Sequence, residues 1–281
     1  MNLMTTLMSW ISYSDNGEAT HLPRAVYLVS DSKITWGSAE KRWEAGRKIF
    51  AAKTEPHLFG FCGDVVLPAL ILGQIVSAID AGILFEPIAT AQERQALIFE
   101  TVKRAIASAI NTPTLDFTIH HLFRDQSWPN TSFRAWNIQF DATARTTQAH
   151  EVPIPTNTDI IGSFGSGKSA AKAHRDRWEQ SDAAGRSRAL LASFCDAIRS
   201  GDDPLSGGPP QLAALYTRDT PRQIGMVFDQ GRYFNGLPVE MTPTLERIEW
   251  RNELGEVADP ATGKATRGAR RFGRPNALAI E

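Results

Sequence analysis

The chain has 281 residues, of which 42% are hydrophobic and 22% charged, and 30 Lys and Arg against 31 Asp and Glu give a net charge of −1. This balance lacks the basic excess of a nucleic-acid-binding protein, and no apolar run reaches the roughly 18 residues that span a bilayer. The first ten residues do not combine a basic segment with a long apolar stretch, so they do not resemble a secretory signal. Cys62 and Cys195 lie too far apart to suggest a metal or disulfide motif. We therefore expect a cytoplasmic protein with no nucleic-acid or membrane partner.

Hydrophobic periodicity predicts strands and helices in separate blocks along the chain. The predicted order is strands at 5–12, 25–31, 47–53 and 57–62, helices at 65–81 and 91–110, strands at 116–123 and 133–140, helices at 166–180 and 186–199, and strands at 211–217 and 223–228. Segregation of this kind favours a layered α+β fold over a doubly wound sheet. From about residue 255 the chain becomes rich in Gly, Ala, Arg and Pro, which predicts a flexible tail over 255–281, with an ordered, partner-binding tail as the alternative.

The first candidate for chemistry is Thr5, within Met4-Thr5-Thr6-Leu7. If residues 1–4 are removed, Thr5 gains a free α-amine. A threonine hydroxyl is a weak nucleophile, but an adjacent N-terminal amine can serve as its general base. Removal could follow translation from Met4 and loss of that methionine, or self-cleavage. If residues 1–4 stay attached, this base is absent and the mechanism fails.

Thr5 is followed by a series of short motifs in a fixed order. Asp31 ends a predicted strand in VSDSKITWG, Lys48 lies in GRKIF, and FGFCG precedes the first helix. Farther on, Ser166 lies in GSG before a helix, and DPLSGG contains Asp203 and Ser206. Each of these residues alone is ordinary: strand-end aspartates are often turn residues and isolated lysines are usually solvated. Their joint order and spacing are more specific than any one of them.

This series resembles the proteasome β-subunit and HslV peptidase family of N-terminal-nucleophile (Ntn) hydrolases, and within it the betaproteobacterial proteasome homologue group. The resemblance extends from about Thr5 to Phe228. It implies a four-layer αββα sandwich over residues 5–254, with 1–4 as a removed leader or alternative-start segment. It also implies a threonine endopeptidase that hydrolyses amide bonds through an ester on Thr5, without a cofactor or metal.

The resemblance assigns a role to each matching residue. Lys48 would lie beside Thr5 and ease its deprotonation, and Asp31 would hold the Lys48 ammonium. Ser166, Asp203 and Ser206 would orient the Thr5 amine. The backbone N–H of Cys62 would form the oxyanion hole.

The resemblance also predicts how a substrate is held. The backbones of Thr35 and Gly60 would bind an extended peptide as an added strand. The specificity pocket would be bordered by Ile34, Gly46, Gly60 and Asp64. The implied partners are peptides or unfolded proteins, further copies of the chain in stacked homo-oligomeric rings, and a separate AAA+ unfoldase.

Two other classes of function stay open. Residues 162–169, GSFGSGKS, fit the phosphate-binding loop pattern GxxxxGK[ST] and precede a predicted helix, which would make the protein a nucleotide binder. The preceding segment is short and interrupted by prolines, unlike the buried parallel strand that such a loop follows. The other possibility is a non-peptidase amidase or an inactive ring. His120 and His121 lie in an alternating pattern that points them to opposite faces, so a shared metal is not expected.

Overall fold

The structure is a computed structural model that describes residues 4–14, 22–36, 38–111, 114–268 and 274–275. In chain order the elements are β1 Leu7–Tyr13, β2 Pro23–Ser30, β3 Ile34–Trp36, β4 Ser38–Trp43, β5 Ile49–Ala51, β6 His57–Gly63, α1 Val66–Asp80, α2 Ala91–Ser108, β7 Phe117–Gln126, β8 Ser132–Asp141, β9 Thr146–Val152, β10 Asp159–Phe164, α3 Lys168–Trp178, α4 Ser187–Ser200, β11 Gln211–Tyr216, β12 Arg222–Phe228, β13 Gly231–Phe234, β14 Leu237–Pro238, a 3-10 helix Pro243–Arg247, and β15 Trp250–Asn252.

The strands form three sheets. The largest has eight strands in the order β10-β1-β2-β11-β12-β13-β14, with β15 added parallel to β12. The second has the order β5-β6-β7-β8-β9, and the third is the two-stranded pair β3-β4. Within the described residues every other strand pair is antiparallel.

The alternation of side chains along β1 shows how the layers are held together. Leu7 and Ile11 pack into a cluster shared between the eight-stranded and five-stranded sheets. Met8 and Trp10 point to the other face and pack against α4. Because both faces of this strand are buried, a large-to-small substitution such as Leu7→Ala costs about 2–5 kcal/mol. The start of β1, two residues after Thr5, is therefore fixed from both sides.

The two helices of the first pair cover the outer face of the five-stranded sheet. Ile71, Leu72 and Ile75 of α1 pack with Ile98 and Val102 of α2 in one apolar cluster on that sheet. Helix α2 begins with a capping box in which the Thr90 side chain accepts from the Glu93 N–H and the Glu93 carboxylate accepts from the Thr90 N–H. None of the helices described is long and apolar enough to cross a membrane.

The predicted four-layer αββα sandwich of the Ntn-hydrolase type is wrong as a description of this chain. The structure is mostly antiparallel sheet, in three sheets, with four α-helices among the described residues. The helical side chains in the apolar cluster on the eight-stranded sheet come from α4, whereas Trp178 of α3 packs in a separate small cluster with α4. Strands β13–β15 and the separate β3-β4 pair have no counterpart in the prediction, because their short segments carry little periodic signal.

The segment predicted as a tail begins with residues that pack on the rest of the chain. Val257 forms a β-bridge with Arg251, and Ala258 forms one with Ala265. Ala258 is buried with Val227 and Trp250. Most residues after 268 lie outside the described part of the chain, so the prediction for them stays a prediction.

Candidate active site

Thr5 lies just before β1 and is almost completely buried, with 2% of the residue exposed. The Lys48 Nζ donates a hydrogen bond of 3.0 Å to Thr5 Oγ1. Lys48 directly precedes β5 and is fully buried. Its Nζ also donates to Asp31 Oδ1 at 2.8 Å and to the Lys33 carbonyl oxygen at 2.6 Å. All three ammonium protons therefore have an acceptor, and one of these is the hydroxyl of the predicted nucleophile.

Asp31 follows β2 and is held by four donors. Besides Lys48, its Oδ1 accepts from the Thr6 N–H at 3.0 Å. Its Oδ2 accepts from the Lys33 N–H and the Gly207 N–H, each at 3.1 Å. Four fixed donors hold the Asp31 carboxylate in one position. It can therefore orient the Lys48 ammonium toward Thr5.

Burial lowers the pKa of Lys48, and the favourable charge of Asp31 offsets only part of this effect. A lysine whose pKa is lowered by burial next to a nucleophile is typical of a functional site, because a buried ion pair adds little to stability. Lys48 therefore releases a proton more readily than an exposed lysine does.

Ser166, Asp203 and Ser206 form a hydrogen-bonded group, as their predicted common role requires. The hydroxyls of Ser166 and Ser206 both donate to Asp203 Oδ2, each over 2.6 Å. Ser206 also accepts from the Thr6 hydroxyl at 2.7 Å. The group therefore contacts the side chain of Thr6, the residue after the predicted nucleophile. That it orients the Thr5 amine stays a prediction.

Gly167 brings the start of α3 against the start of β1. Its N–H approaches the Thr5 carbonyl oxygen at 3.4 Å. A Cβ at Gly167 would lie 1.8 Å from Thr6 Oγ1 and 3.1 Å from Asp203 Oδ2. Glycine is required here by lack of space, since the backbone φ of −78° suits any residue.

The carbonyl group of Met4 accepts a hydrogen bond of 3.2 Å from the Gly63 N–H. The sequence prediction gave the oxyanion-hole role to the neighbouring Cys62. The Cys62 thiol is buried, and burial raises its pKa to about 12, which suits a packing residue better than a reactive one. The structure thus places the N–H of Gly63, one residue later, on the carbonyl adjacent to Thr5.

Thr5 has a backbone conformation that strongly disfavours a β-branched residue. Its φ is +124°, a region used almost only by glycine. Such a conformation costs about 1–3 kcal/mol. The strained torsion is about the N–Cα bond of Thr5, next to the Met4–Thr5 peptide bond that must be cleaved to release the Thr5 amine.

Three of the predicted substrate-binding residues lie close to this group. Thr35 Oγ1 contacts the sulfur of Met4 at 2.7 Å, so β3 runs beside the residue that precedes Thr5. Ile34 is buried and covers Gly46, where an added Cβ would lie 2.1 Å from Ile34 Cδ1. That these residues bind substrate stays a prediction.

The other two are occupied by structural contacts. Gly60 lies in β6 between β5 and β7, and a Cβ there would meet the side chains of Leu7 and Leu28 at 2.9 Å. The Asp64 carboxylate accepts from the next two backbone N–H groups, at 2.6 and 3.2 Å, and ties the turn that begins α1. The Gly60 backbone thus lies inside a sheet rather than at an edge where a peptide could add.

Gln211 is a site residue that the motif analysis did not find. Its Nε2 donates to the carbonyl oxygens of Asp31 at 3.1 Å and Gly46 at 2.8 Å, and its Oε1 accepts from the Lys48 N–H at 3.0 Å. It is 1% exposed and heads the apolar strand β11. The sequence contained one indication of this role, since Gln211 is a polar residue directly before the apolar run of β11.

The loop at 162–169 does not form an open phosphate site. Strand β10 pairs antiparallel with β1, whereas a phosphate-binding loop follows a parallel strand. The space next to Gly167 is filled by Thr6 and the Asp203 carboxylate, whose charge would repel a phosphate. Lys168 is exposed at the start of α3. The nucleotide-binding alternative therefore has no geometric support.

His120 belongs to a second polar chain, between the two larger sheets. Its Nε2 lies 2.8 Å from Ser9 Oγ and its Nδ1 lies 2.6 Å from Asn137 Oδ1, the connectivity of a Ser-His-Asn triad. Ser9 and His120 are both 0% exposed, so no substrate reaches them. His121 points to the other face and contacts His57 and Gln95, as the alternating pattern predicts.

Comparisons with known proteins found no matching family model and no matching curated protein. Among solved structures, the chain is similar to the Anbu (Gly-1) mutant from Hyphomicrobium sp. strain MC1. The two share 14% sequence identity with a TM-score of 0.48, over 78% of this chain and 85% of that one. A likeness of this size does not define the activity of this chain.

The predicted membership of the proteasome β-subunit and HslV family, and of the betaproteobacterial homologue group within it, is therefore wrong. It rested on short motifs, and neither a family model nor a curated relative matches the chain. Motifs of three to six residues can be placed in order without the intervening sequence being related. What the chain does must be argued from its own residues.

Proposed function

We propose that the chain is a threonine hydrolase that cleaves peptide bonds, with Thr5 as an N-terminal nucleophile once residues 1–4 are removed. The observation that carries the proposal is the contact of the buried Lys48 ammonium with Thr5 Oγ1 at 3.0 Å. Burying a lysine and an aspartate together costs several kcal/mol of desolvation, which their attraction barely offsets. A buried pair that contributes so little to stability is expected where it activates a nucleophile.

The proposed reaction uses each part of this site. The Thr5 amine takes the proton of the Thr5 hydroxyl as the oxygen attacks the carbonyl carbon of the substrate. Lys48 stabilises the negative charge near Thr5 Oγ1, and Asp31 keeps Lys48 in place. The amine then gives its proton to the leaving nitrogen, and water hydrolyses the ester to regenerate Thr5.

The contact of Gly63 with Met4 supports a role for the same site in its own maturation. The Gly63 N–H is aimed at the carbonyl oxygen of the Met4–Thr5 bond, where it would stabilise an oxyanion. Attack by Thr5 Oγ1 on that carbonyl moves the acyl group from nitrogen to oxygen, and the hydroxyl proton passes to the nitrogen. Hydrolysis of the resulting ester releases residues 1–4 and relieves the strained φ of Thr5.

A peptide epoxyketone tests the nucleophile and its processing together. This reagent forms a morpholine ring only with a hydroxyl and an amine on the same residue, so the adduct should map to Thr5 by mass spectrometry. Thr5→Ala should give no adduct, and Thr143→Ala, at an exposed threonine in the connection between β8 and β9, serves as the control that should keep it. A protein that begins at Thr5 and never forms the adduct would remove the main support for the proposal.

Assembly into homo-oligomeric rings and cooperation with a separate AAA+ unfoldase also stay proposals. Sedimentation velocity of the mature protein measures the first. Degradation of an unfolded protein, compared with the same protein folded, measures whether folded substrates need an unfoldase.

A further inference from the structure

The hairpin β3-β4 carries two large aromatic side chains at the surface beside the candidate active site. Trp36 is 52% exposed and Trp43 is 50% exposed. Trp36 directly follows Thr35 in β3, and Trp43 lies opposite Ile34 in the hairpin register. Aromatic residues that remain half exposed on an ordered strand pair are typical of binding surfaces.

The intact Met4–Thr5 bond shows which part of a substrate lies next to this hairpin. Met4 supplies the acyl side of that bond, and its side chain contacts Thr35 Oγ1 in β3 while its carbonyl contacts the Gly63 N–H. When residues 1–4 leave, the space beside Thr35 becomes free. The acyl half of a substrate bound for attack by Thr5 must take up the same relation to Thr5, and so it lies along β3.

The base of the hairpin is anchored to the catalytic group. Ile34 lies against Gly46, whose N–H donates to the Ser32 carbonyl oxygen at 2.9 Å. A Cβ at Gly208 would lie 2.6 Å from the Glu44 carbonyl oxygen, so the end of the hairpin also packs on the loop that carries Ser206. The tryptophans are therefore presented from a fixed position relative to Thr5.

We propose that Trp36 and Trp43 bind bulky apolar side chains on the acyl side of an extended polypeptide substrate. This inference rests on the proposed function, and it narrows the substrate class to unfolded polypeptides rich in apolar residues. A small amide has too few side chains on its acyl side to contact both tryptophans. Two exposed indole rings provide apolar area at low entropic cost, and they discriminate poorly between one apolar side chain and another.

The test compares peptide binding and turnover in Trp36→Ala/Trp43→Ala with a matched control, Trp128→Ala. Trp128 is 46% exposed in the connection between β7 and β8, so it controls for the loss of any surface tryptophan. The substrates are a decapeptide with Phe and Leu on the acyl side, the same decapeptide with Asp and Ser there, and a capped dipeptide amide.

We expect the double variant to raise the KM for the apolar decapeptide on the order of tenfold, as for the loss of a binding hot spot. The effect on the charged decapeptide and the dipeptide should be several-fold smaller. Trp128→Ala should leave the KM values for all three substrates unchanged. Trp36→Phe/Trp43→Phe should bind the apolar decapeptide nearly as well as the wild type. An unchanged KM, an equal loss on all three substrates, or the same loss in Trp128→Ala would overturn the proposal.

A binding measurement keeps this inference separate from the proposed chemistry. Thr5→Ala, encoded with an initiator methionine in place of residues 1–4, should bind the apolar decapeptide in calorimetry, and the two Trp substitutions should weaken that binding. Binding without an epoxyketone adduct in the wild type would refute the nucleophile and leave the hairpin inference standing. A change in sedimenting mass with unchanged peptide affinity would instead identify the hairpin as a contact between copies of the chain and overturn the inference.

Discussion

Because His57 and His120 are buried, we expect the free energy of unfolding to fall markedly in mild acid. Burial lowers the pKa of His57 to about 3 and that of His120 to about 4. In the unfolded chain both return to a pKa near 6.5. Between pH 6.5 and the lowered values the unfolded state binds more protons than the folded state, so the free energy of unfolding falls as the pH falls.

The size of this effect follows from about 1.36 kcal/mol per pH unit for each group. At pH 4.5, two units below 6.5, His57 and His120 each destabilise the fold by roughly 2–3 kcal/mol. A sum of about 5 kcal/mol is comparable with the whole stability of many domains. Urea unfolding followed by tryptophan fluorescence at pH 7.0 and pH 4.5 measures this difference.

His57→Phe removes the titration of His57 and its coupling to His121, and it leaves in place the carboxylates that also titrate. The His57 ring stacks among Phe59, Phe85 and Phe123, so a phenyl ring suits the site, although the hydrogen bond to His121 is lost. The variant should therefore be less stable at pH 7.0, yet its loss of stability between pH 7.0 and 4.5 should be roughly 2–3 kcal/mol smaller than in the wild type.

Phe117→Leu provides the control: it alters a buried aromatic side chain of β7 without removing a titrating group, so it should lower the stability by the same amount at both pH values. If His57→Phe and the wild type lose the same free energy between the two pH values, the argument that His57 stays neutral in the fold is refuted.

Three substitutions test the candidate site. Lys48→Ala should lower the rate of epoxyketone adduct formation by at least about a hundredfold and also destabilise the fold, because Asp31 then stays buried without its cation. Lys168→Ala, at an exposed lysine, should change neither the rate of adduct formation nor the stability of the fold. Equal losses of rate in the two variants would contradict the role of Lys48. Gly167→Ala should abolish adduct formation, because its Cβ would lie 1.8 Å from Thr6 Oγ1. Gly73→Ala has open space and should leave the rate unchanged while stabilising α1 by up to about 1 kcal/mol. Asp203→Asn should shift the pH profile of adduct formation, since Asp203 accepts from both Ser166 and Ser206; a lower rate with an unshifted profile would indicate a purely structural role.

The long, strongly patterned elements could be predicted from the sequence. The helices at 65–81 and 91–110 correspond to α1 and α2, and Gly82 follows α1 with a φ of +69°. The strands predicted at 116–123 and 133–140 correspond to β7 and β8, whereas β9 was missed because it is largely exposed and alternates weakly. The short strands after Phe228 depend on tertiary pairing and leave no period to detect.

For the site, the sequence was sufficient to select the charged and hydroxyl residues near Thr5, but it did not give all of their hydrogen-bond partners. The contact of Lys48 with Thr5 and Asp31 was expected, whereas Gln211 was not, since it interacts mainly through backbone groups of residues distant in sequence. The contact of the Gly63 N–H with the Met4 carbonyl was not expected, and the oxyanion-hole role of the Cys62 N–H stays a prediction. The family assignment failed because ordered short motifs do not measure overall similarity.

The hydrogen bonds of Thr6 determine how well ordered the chain end would be if residues 1–4 were removed. A newly created chain end normally frays, because its first residues lose little by leaving the structure. Here the second residue is fixed at three points: its N–H to Asp31, its carbonyl to the Asp31 N–H at 3.1 Å, and its hydroxyl to Ser206. If residues 1–4 are removed as proposed, these contacts would hold the new terminus at Thr6, and Thr5 would keep its position although it then ends the chain.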